Sequence, residues 1–204
     1  VIHIPIDGVD TGTILQDDLD RALFSLHLMV GIGYWKTYCP KNIVIEGGEL
    51  TRTQAHFWNT VYTNGLGEFY YKNEIDFRDQ VHFPYNKELE EPEIQGSNSS
   101  HESVLVPFGG GKDSIVTAEL LRAQNIPVTL FSIQDAAPIQ DATKVFDAPR
   151  IIVDRQLDSQ LTDPTSELRT DPNAYNGHVP ISAIWSMITV VAAIIHNATD
   201  VVFS

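Results

Sequence analysis

The stretch that decides the fold reads VLVPFGGGKDS and runs from Val104 to Ser114. It begins as an apolar run typical of a buried strand, passes through three glycines and leads into a helix predicted over Ser114–Gln124. Glycines directly after a strand let the backbone turn sharply and approach a ligand without side-chain clashes. The helix that follows directs its free N–H groups and the positive end of its dipole at an anion. The pattern therefore predicts a phosphate-binding loop.

The same loop supplies polar side chains that suit a nucleotide. Lys112 adds a positive charge for phosphate oxygens, and Ser114 adds a hydroxyl donor. Asp113 is open to three interpretations: it caps the helix start, it holds Lys112, or it contacts Mg²⁺. We expect ATP and Mg²⁺ as cofactors, with Asp113 as the candidate metal ligand. The candidate nucleotide-binding residues of the loop are Gly109, Gly110, Gly111, Lys112, Asp113 and Ser114.

Three classes of phosphate-binding loop compete for this sequence. The kinase-type Walker loop requires Ser or Thr directly after its lysine, and here Asp113 follows Lys112. The dinucleotide fingerprint requires a third glycine where Ser114 stands. The PP-loop pattern Ser-Gly-Gly-x-Asp-Ser matches, except that Gly109 replaces its leading serine. The loop thus predicts an ATP pyrophosphatase, which releases AMP and pyrophosphate; a glycine-rich turn without a ligand is the plain structural alternative.

The residues after the loop alternate between strands and helices. This order predicts an α/β fold with a parallel sheet, namely a PP-loop domain of the HUP type, which is Rossmann-like. Asp135 follows the second strand at the carboxyl edge, where such sheets bind ligands, so it is a candidate contact to adenosine or metal. The predicted strands are Val104–Phe108, Val128–Ile133, Ile151–Val153 and Val201–Phe203, and the predicted helices include Ile139–Phe146 and Ile181–Ile195. The last of these is shorter than the ~20 apolar residues of a membrane span, so we expect a buried helix.

A polar segment from Asn86 to Ser103 separates an N-terminal α/β region, residues 1–98, from the ATP-binding domain, residues 99–204. The N-terminal region is expected to face the substrate. Its predicted elements are a helix over Asp17–Val30 that Gly31 and Gly33 end, a short strand over Asn42–Ile45, and a helix over Thr51–Thr63. For the second helix, Thr51 and Gln54 predict a capping box, and Asn64-Gly65 predicts a left-handed stop.

Composition excludes several classes of protein. The net charge of −14, from 27 acidic and 13 basic residues, argues against nucleic acid as a partner. The single cysteine, Cys39, excludes an internal disulfide, a multi-cysteine zinc or iron–sulfur site and a racemase with two thiols. We expect a reducing, cytoplasmic setting for a protein without a targeting leader. The chain is also expected to be truncated, because Ser204 falls where a fourth strand should meet its loop.

Four segments carry a resemblance to a known family. They are Gly31–Lys36 (GIGYWK), Asn64–Phe69 (NGLGEF) with Asn73 shortly after, the glycine loop, and Asn176–Pro180 (NGHVP). With these residues the chain resembles the UDP-N-acetylmuramoyl-L-alanyl-L-glutamate epimerases of bacterial cell-wall synthesis. The glycine loop is common to all PP-loop enzymes, whereas the other three segments in this order are more discriminating. The resemblance extends from Gly31 to Pro180, and the family usually continues past the equivalent of Ser204.

The resemblance implies an isomerase that uses ATP and Mg²⁺ to invert the terminal glutamate of UDP-MurNAc-L-Ala-L-Glu during peptidoglycan synthesis. A proton beside a carboxylate anion is very weakly acidic, and adenylation of that carboxylate lets a general base remove the proton. The partner is then a nucleotide-linked small molecule, and the oligomeric state stays open. The substrate-binding candidates that the resemblance implies are Tyr34, Asn73, Asn176 and Gly177.

The catalytic candidates are His178, Glu68 and Lys36. His178 is expected at the start of the apolar helix, where the neutral imidazole that a base needs is favoured, or it bonds locally. Glu68 is a base, an orienting carboxylate or a plain helix-start acid. Lys36 binds a substrate carboxylate or phosphate, or is solvated. Two other functions stay open: a PP-loop amidase or thiolase with another substrate, and a nucleotide-binding sensor without turnover.

Overall fold

The computed structural model describes residues 1–91 and 103–204. These residues form two compact units, one from residues 1–23, 103–158 and 185–204, and the other from residues 24–91 and 159–184. The boundary expected between residues 98 and 99 lies outside the described residues and stays a prediction. Each unit is described by itself below.

The first unit is built on a five-stranded sheet with the order β1-β4-β3-β2-β5. Strands β2 to β5 are parallel, and β1 pairs antiparallel with β4 at the edge. The parallel pairing predicted for the four strands after residue 103 is confirmed. Strand β1 adds an antiparallel edge that was not predicted, because a strand of two residues is too short to show a hydrophobic period. The strands are β1 Ile2–His3, β2 Val104–Pro107, β3 Val128–Ile133, β4 Arg150–Arg155 and β5 Asp200–Val201.

The helices lie between and before these strands. Helix α8 has the predicted bounds, and α4 begins two residues earlier than predicted. Helix α5 begins two residues earlier and ends three residues earlier than predicted. Among the described residues, none of the helices combines the length and apolar content needed to cross a bilayer. The helices are α1 Gln16–Tyr38, α2 Arg52–Gly65, α3 Gly67–Lys72, α4 Lys112–Ala123, α5 Ala137–Thr143, α6 Ser159–Thr162, α7 Glu167–Thr170 and α8 Ile181–Ile195, and a 3₁₀ turn covers Thr11–Thr13.

An apolar core fixes the sheet against α4 and α5. Ala118 of α4 is fully buried against the strands, and Ile139 of α5 joins the same cluster. Each large side chain removed from water in such a core stabilises the fold by about 1.5–3 kcal/mol. The buried members are Val104, Val106, Phe108, Ala118, Leu130, Ile139 and Phe146. This core therefore holds the turn between β2 and α4 in place, since Phe108 is the last residue before the glycines.

Helix α1 does not end at Gly31 and Gly33, contrary to the sequence prediction, but continues to Tyr38. The reason is a tertiary contact. Tyr62 of α2 donates its hydroxyl to the carbonyl oxygen of Leu28 at 2.6 Å, and a Cβ at Gly31 would lie 3.4 Å from that hydroxyl oxygen. Gly31 thus gives Tyr62 room to reach the backbone of α1, and packing outweighs the low helix propensity of glycine.

The end of α1 is instead set by Cys39 and Pro40. Cys39 has a positive φ of 47°, and its N–H donates to the carbonyl oxygen of Trp35 at 2.9 Å. This is the left-handed stop that usually falls on glycine or asparagine, and the proline after it cannot continue the helix.

Helix α2 starts as predicted and ends differently. The capping box is confirmed: the Thr51 hydroxyl accepts from the Gln54 N–H at 3.3 Å, and the Gln54 side chain accepts from the Thr51 N–H at 2.9 Å. The left-handed stop at Asn64-Gly65 is wrong, because Gly65 is helical and α3 begins after Leu66. A Cβ at Gly65 would lie 3.3 Å from Pro180, so this glycine serves close packing.

The strand predicted over Asn42–Ile45 is absent, and these residues form no regular element. The alternation that suggested it is real, since Ile43 and Ile45 are half-buried and Val44 between them is 80% exposed. The two isoleucines line a cleft of about 180 Å³ together with Trp35 of α1. A strand requires a hydrogen-bonded neighbour, and the described residues of this second unit contain no strand to pair with.

Thr51→Ala tests the capping box. The change removes the acceptor for the Gln54 N–H, so we expect the free energy of unfolding to fall by about 1 kcal/mol. Thr60→Ala is the matched control, because Thr60 is exposed within α2 and its hydroxyl bonds back to the helix carbonyl of His56. The control should be neutral or slightly stabilising, since alanine has the higher helix propensity. Urea titrations followed by circular dichroism compare the two, and equal midpoints would contradict the assignment.

Candidate functional site

The glycine loop joins β2 to α4, at the carboxyl edge of the sheet. Gly110 has a φ of +76°, and a Cβ at this position would lie 2.6 Å from the carbonyl oxygen of Pro138 in α5. At Gly109 and Gly111, an added Cβ would meet no atom within 4 Å beyond the chain neighbours. Gly110 is therefore required by packing, while the other two glycines leave open space beside the start of α4.

The start of α4 has no side-chain cap. Gly111 is the N-cap residue, and the buried Ser114 uses its hydroxyl within the turn by donating to the Gly111 carbonyl oxygen at 3.0 Å. Lys112 and Asp113 are both exposed, and no ion pair joins them in the described part of the chain. Asp113 thus neither caps the helix nor holds Lys112, and the uncapped N–H groups fit a phosphate.

Asp135 lies two residues beyond β3, at the same carboxyl edge. Its carboxylate accepts from the guanidinium of Arg150 and from the amide of Gln140, the second at 3.2 Å. The Gln140 amide also donates to the Asp135 carbonyl oxygen at 2.9 Å. Asp135 therefore connects the end of β3 to α5 and β4, and Arg150 neutralises its charge.

A protein-only metal cage does not form among the described residues, where no three His, Cys, Asp or Glu side chains gather around one point. Mg²⁺ keeps several waters and usually takes one or two carboxylates together with the phosphates of its substrate. Asp113, exposed at the start of α4, fits that minimal role and stays a predicted metal ligand.

In the second unit, Lys36 reaches from α1 to the loop before α8. Its ammonium donates to the Gly177 carbonyl oxygen at 3.0 Å and lies 5.5 Å from the centre of the Phe69 ring. Lys36 is 7% exposed, so the interpretation as a solvated lysine is wrong. Burial lowers the pKa of Lys36, and the nearby charge of Arg169 lowers it further.

The loop of residues 175–177 is held by further bonds. The Tyr175 N–H donates to the Thr37 carbonyl oxygen at 2.8 Å, and the Asn73 amide donates to the Asn176 carbonyl oxygen at 3.0 Å. Gly177 has a φ of +144°, which L side chains rarely adopt. Asn73 and the backbone of Asn176 thus position the loop that leads to His178, three residues before α8.

His178 faces a carboxylate that is itself held by a lysine. Its Nδ1 atom lies 3.8 Å from Oε2 of Glu68, and the Lys72 ammonium lies 2.7 Å from Oε1 of the same carboxylate. The hydrogen bond from Lys72 lowers the pKa of Glu68, which favours its ionised form. A separation of 3.8 Å is too long for a hydrogen bond but close enough for electrostatic interaction. All three groups are partly exposed, so a ligand can reach them.

The substrate-binding candidate Tyr34 lies on α1, and the single cysteine, Cys39, directly follows that helix. Tyr34 is 50% exposed and accessible to a ligand. Cys39 is buried, its thiol donates to the Lys36 carbonyl oxygen, and burial raises the pKa of the thiol to about 11, as suits a packed cysteine rather than a nucleophile. The sequence reasoning missed Lys72, which pairs with Glu68. Lys72 could have been found from its spacing of four residues after Glu68 in one helix.

The fold and the two clusters define an α/β protein with a mostly parallel sheet, a glycine-rich loop at a strand-to-helix joint and a separate Lys–His–Glu group. Comparison with known protein families identifies the family of this chain. The family described as the MurL N-terminal domain matches residues 1–204, so the chain belongs to that family. No solved structure matches the chain.

Curated relatives share a name as well as sequence. A protein of Xanthomonas oryzae is 32% identical over 91% of this chain, and one of Salinispora tropica is 30% identical over 100% of it. Both are named UDP-N-acetyl-alpha-D-muramoyl-L-alanyl-L-glutamate epimerase, as is a relative from a Micromonospora species. The chain spans 40% to 44% of the length of these relatives.

Gly110→Ala tests the geometry of the glycine loop. The new Cβ would meet the Pro138 backbone in a strained conformation, so we expect the free energy of unfolding to fall by about 1–3 kcal/mol. Gly109→Ala is the control, because its Cβ enters open space, and it should change stability by less than ~0.5 kcal/mol. Urea midpoints measure both. The loop geometry is wrong if the two variants lose the same stability.

Gly177→Ala tests the loop before His178. The φ of +144° and the contact of 3.4 Å between an added Cβ and Phe69 predict a loss of about 1–3 kcal/mol. Gly67→Ala in the first turn of α3 is the matched control, since its Cβ would meet nothing within 4 Å. There we expect no loss of stability, and a gain of up to ~1 kcal/mol, from the reduced freedom of the unfolded chain. A stability loss in the control equal to that of Gly177→Ala, measured by thermal unfolding, would count against this reading.

Proposed function

We propose that this chain belongs to an ATP- and Mg²⁺-dependent epimerase that inverts the terminal L-Glu of UDP-MurNAc-L-Ala-L-Glu to D-Glu, through an adenylated carboxylate, in peptidoglycan precursor synthesis. One observation carries the proposal: relatives that match 91% to 100% of this chain are named as this epimerase. The glycine loop and the His178 cluster support it by supplying groups for the two halves of the chemistry. A cytoplasmic location is part of the proposal and suits a chain whose single cysteine cannot form an internal disulfide.

The glycine loop is the proposed site for the nucleotide, as a PP-loop. The open space at Gly109 and Gly111, the uncapped start of α4 and the exposed ammonium of Lys112 all favour phosphate oxygens. Asp113 would share Mg²⁺ with those oxygens. Bound ATP supplies the activation that removes the negative charge of the substrate carboxylate and leaves AMP and pyrophosphate.

His178 is the proposed general base, oriented by Glu68. A carboxylate on the Nδ1 side of an imidazole favours the tautomer that carries its proton on Nδ1, and Nε2 is then free to accept a proton. Lys72 supports this role because it favours the ionised form of Glu68. Lys36 and Asn73 contribute by fixing the loop of Gly177, so that the imidazole is presented in one orientation.

Incubation of the full-length protein with ATP, Mg²⁺ and UDP-MurNAc-L-Ala-L-Glu tests the proposal. We expect D-Glu at the terminal position, detected by chiral analysis after hydrolysis, together with AMP. His178→Gln should lower the rate by about 10²–10⁴-fold, the usual contribution of a positioned general base. His56→Gln is the control, because His56 is exposed on α2, and it should leave the rate unchanged.

Other outcomes separate the remaining functions. Release of AMP only with a different carboxylate, carbonyl or nucleobase acceptor would favour a PP-loop amidase or thiolase. Binding of ATP without AMP would favour a nucleotide sensor. Either result contradicts the epimerase proposal, whereas unchanged activity in His178→Gln contradicts only the assignment of the base.

A further inference from the structure

The cleft of about 180 Å³ in the second unit lies between α1, α2 and residues 43–46, and one of its walls is aromatic. The ring centres of Trp35 and Tyr62 lie 5.4 Å apart, and those of Tyr62 and Phe83 lie 4.9 Å apart, both edge to face. The Trp35 Nε1–H donates to the Pro40 carbonyl oxygen at 3.0 Å, and the Tyr62 hydroxyl donates to the backbone of α1. The wall therefore offers ring surface to a ligand, while its donors serve the fold.

Two polar side chains at the same cleft are not used by the fold. His27 and Glu46 both line the cleft, and both are exposed. Among the described residues, neither side chain takes part in a hydrogen bond or an ion pair. An imidazole donates through a ring N–H, and an ionised carboxylate only accepts. The cleft thus combines an aromatic wall with one free donor and one free acceptor.

The size of the cleft suits a single ring. An apolar cavity of roughly 150 Å³ binds benzene, so a cleft of about 180 Å³ has room for one six-membered ring. Gly31 keeps this space open at α1, because a Cβ there would lie 3.4 Å from the Tyr62 hydroxyl oxygen. Gly31 and Trp35 lie four residues apart on one face of α1, and both belong to the segment Gly31–Lys36 that carries the family resemblance.

We infer that this cleft binds the uracil ring of the substrate's UDP group. The inference rests on the proposed function and names the part of that substrate that the cleft holds. Uracil is one flat ring that packs against aromatic side chains, and its edge carries the N3–H donor between two carbonyl acceptors. Glu46 accepts from the N3–H, and His27 donates to one of the carbonyl oxygens beside it.

Adenine is the other base in the proposed reaction, and it suits the cleft less well. Adenine has two fused rings, and it has no N–H between two carbonyl groups. The glycine loop proposed for ATP belongs to the first unit, whereas the cleft belongs to the unit that carries His178 and Glu68. Uracil is therefore the base that matches both the size of the cleft and its polar pair.

The diphosphate attached to the uridine has a cation within reach. Lys41 is exposed, and its ammonium forms no hydrogen bond or ion pair within the described part of the chain. It stands two residues before Ile43, which lines the cleft, so the two Cα atoms are at most ~7 Å apart. In a chain with a net charge of −14, a local cation of this kind offsets the repulsion of a diphosphate.

Calorimetric binding to the full-length protein without ATP tests this site. The ligands are UDP-MurNAc-L-Ala-L-Glu and its analogue methylated at N3 of uracil, which lacks the N–H donor. We expect the wild-type protein to prefer the unmethylated ligand by about tenfold or more, the effect of losing a hydrogen bond to a charged group. Glu46→Ala should weaken binding of the unmethylated ligand and abolish the preference, because no carboxylate remains to accept. His27→Ala should weaken binding of both ligands by a similar factor of ~3–10, since both keep their carbonyl groups.

Glu88→Ala is the matched control, because Glu88 is exposed in the same unit and does not line the cleft. It should keep the full preference for the unmethylated ligand. The His27 and Glu46 side chains are exposed and make no bond in the described part of the chain, so both variants should fold. Thermal unfolding checks this.

A wild-type protein without the preference, or a Glu46→Ala variant that keeps it, overturns the inference. A Glu46→Ala variant that loses affinity for ADP but not for UDP assigns the cleft to adenine and overturns it as well. If the wild-type protein forms D-Glu and AMP while the preference is absent, the inference alone fails. If the wild-type protein binds neither ligand and forms no AMP with ATP, the proposed function fails with it.

Discussion

The bond from the Lys36 ammonium to the Gly177 carbonyl oxygen joins residues 141 positions apart in sequence. It joins the last turn of α1 to the loop before α8, which bonds from Tyr175 and Asn73 also hold. A lysine reaches this position only by losing most of its hydration, and burial lowers its pKa as a result. Its ammonium is instead held by the Gly177 carbonyl oxygen and the face of the Phe69 ring.

The features that could be predicted from the sequence are those that depend on residues close together in the chain. The capping box at Thr51, the apolar helix over Ile181–Ile195 and the strand over Val128–Ile133 all follow from residue types within one element. The errors come from partners distant in sequence. Tyr62 allows α1 to continue through Gly31, and the alternation over Asn42–Ile45 has no strand to pair with. Tertiary contacts of this kind override propensity and leave no mark on a short window of sequence.

The candidate site likewise combines features set by nearby residues with features set by partners distant in sequence. The sequence placed Gly109–Ser114 at a strand-to-helix joint, and the structure has it there, because an apolar strand followed by glycines and a polar helix start is a local pattern. Asp135 was expected at the carboxyl edge and lies there, but its bond to Arg150 depends on a strand 15 residues later.

The three more discriminating segments of the family resemblance, Gly31–Lys36, Asn64–Phe69 and Asn176–Pro180, contact one another at their glycines. Gly65 in the segment Asn64–Phe69 leaves room for Pro180, and Gly177 in the segment Asn176–Pro180 leaves room for Phe69. Each of these two segments therefore leaves space for a side chain of the other. Lys36 of the first segment then bonds to Gly177. A substitution in one segment would therefore displace the other two, which explains physically why such residues should occur together. Together these contacts hold the loop that presents His178 beside Glu68. The residues that carry the resemblance therefore include this pair and the residues whose packing supports it.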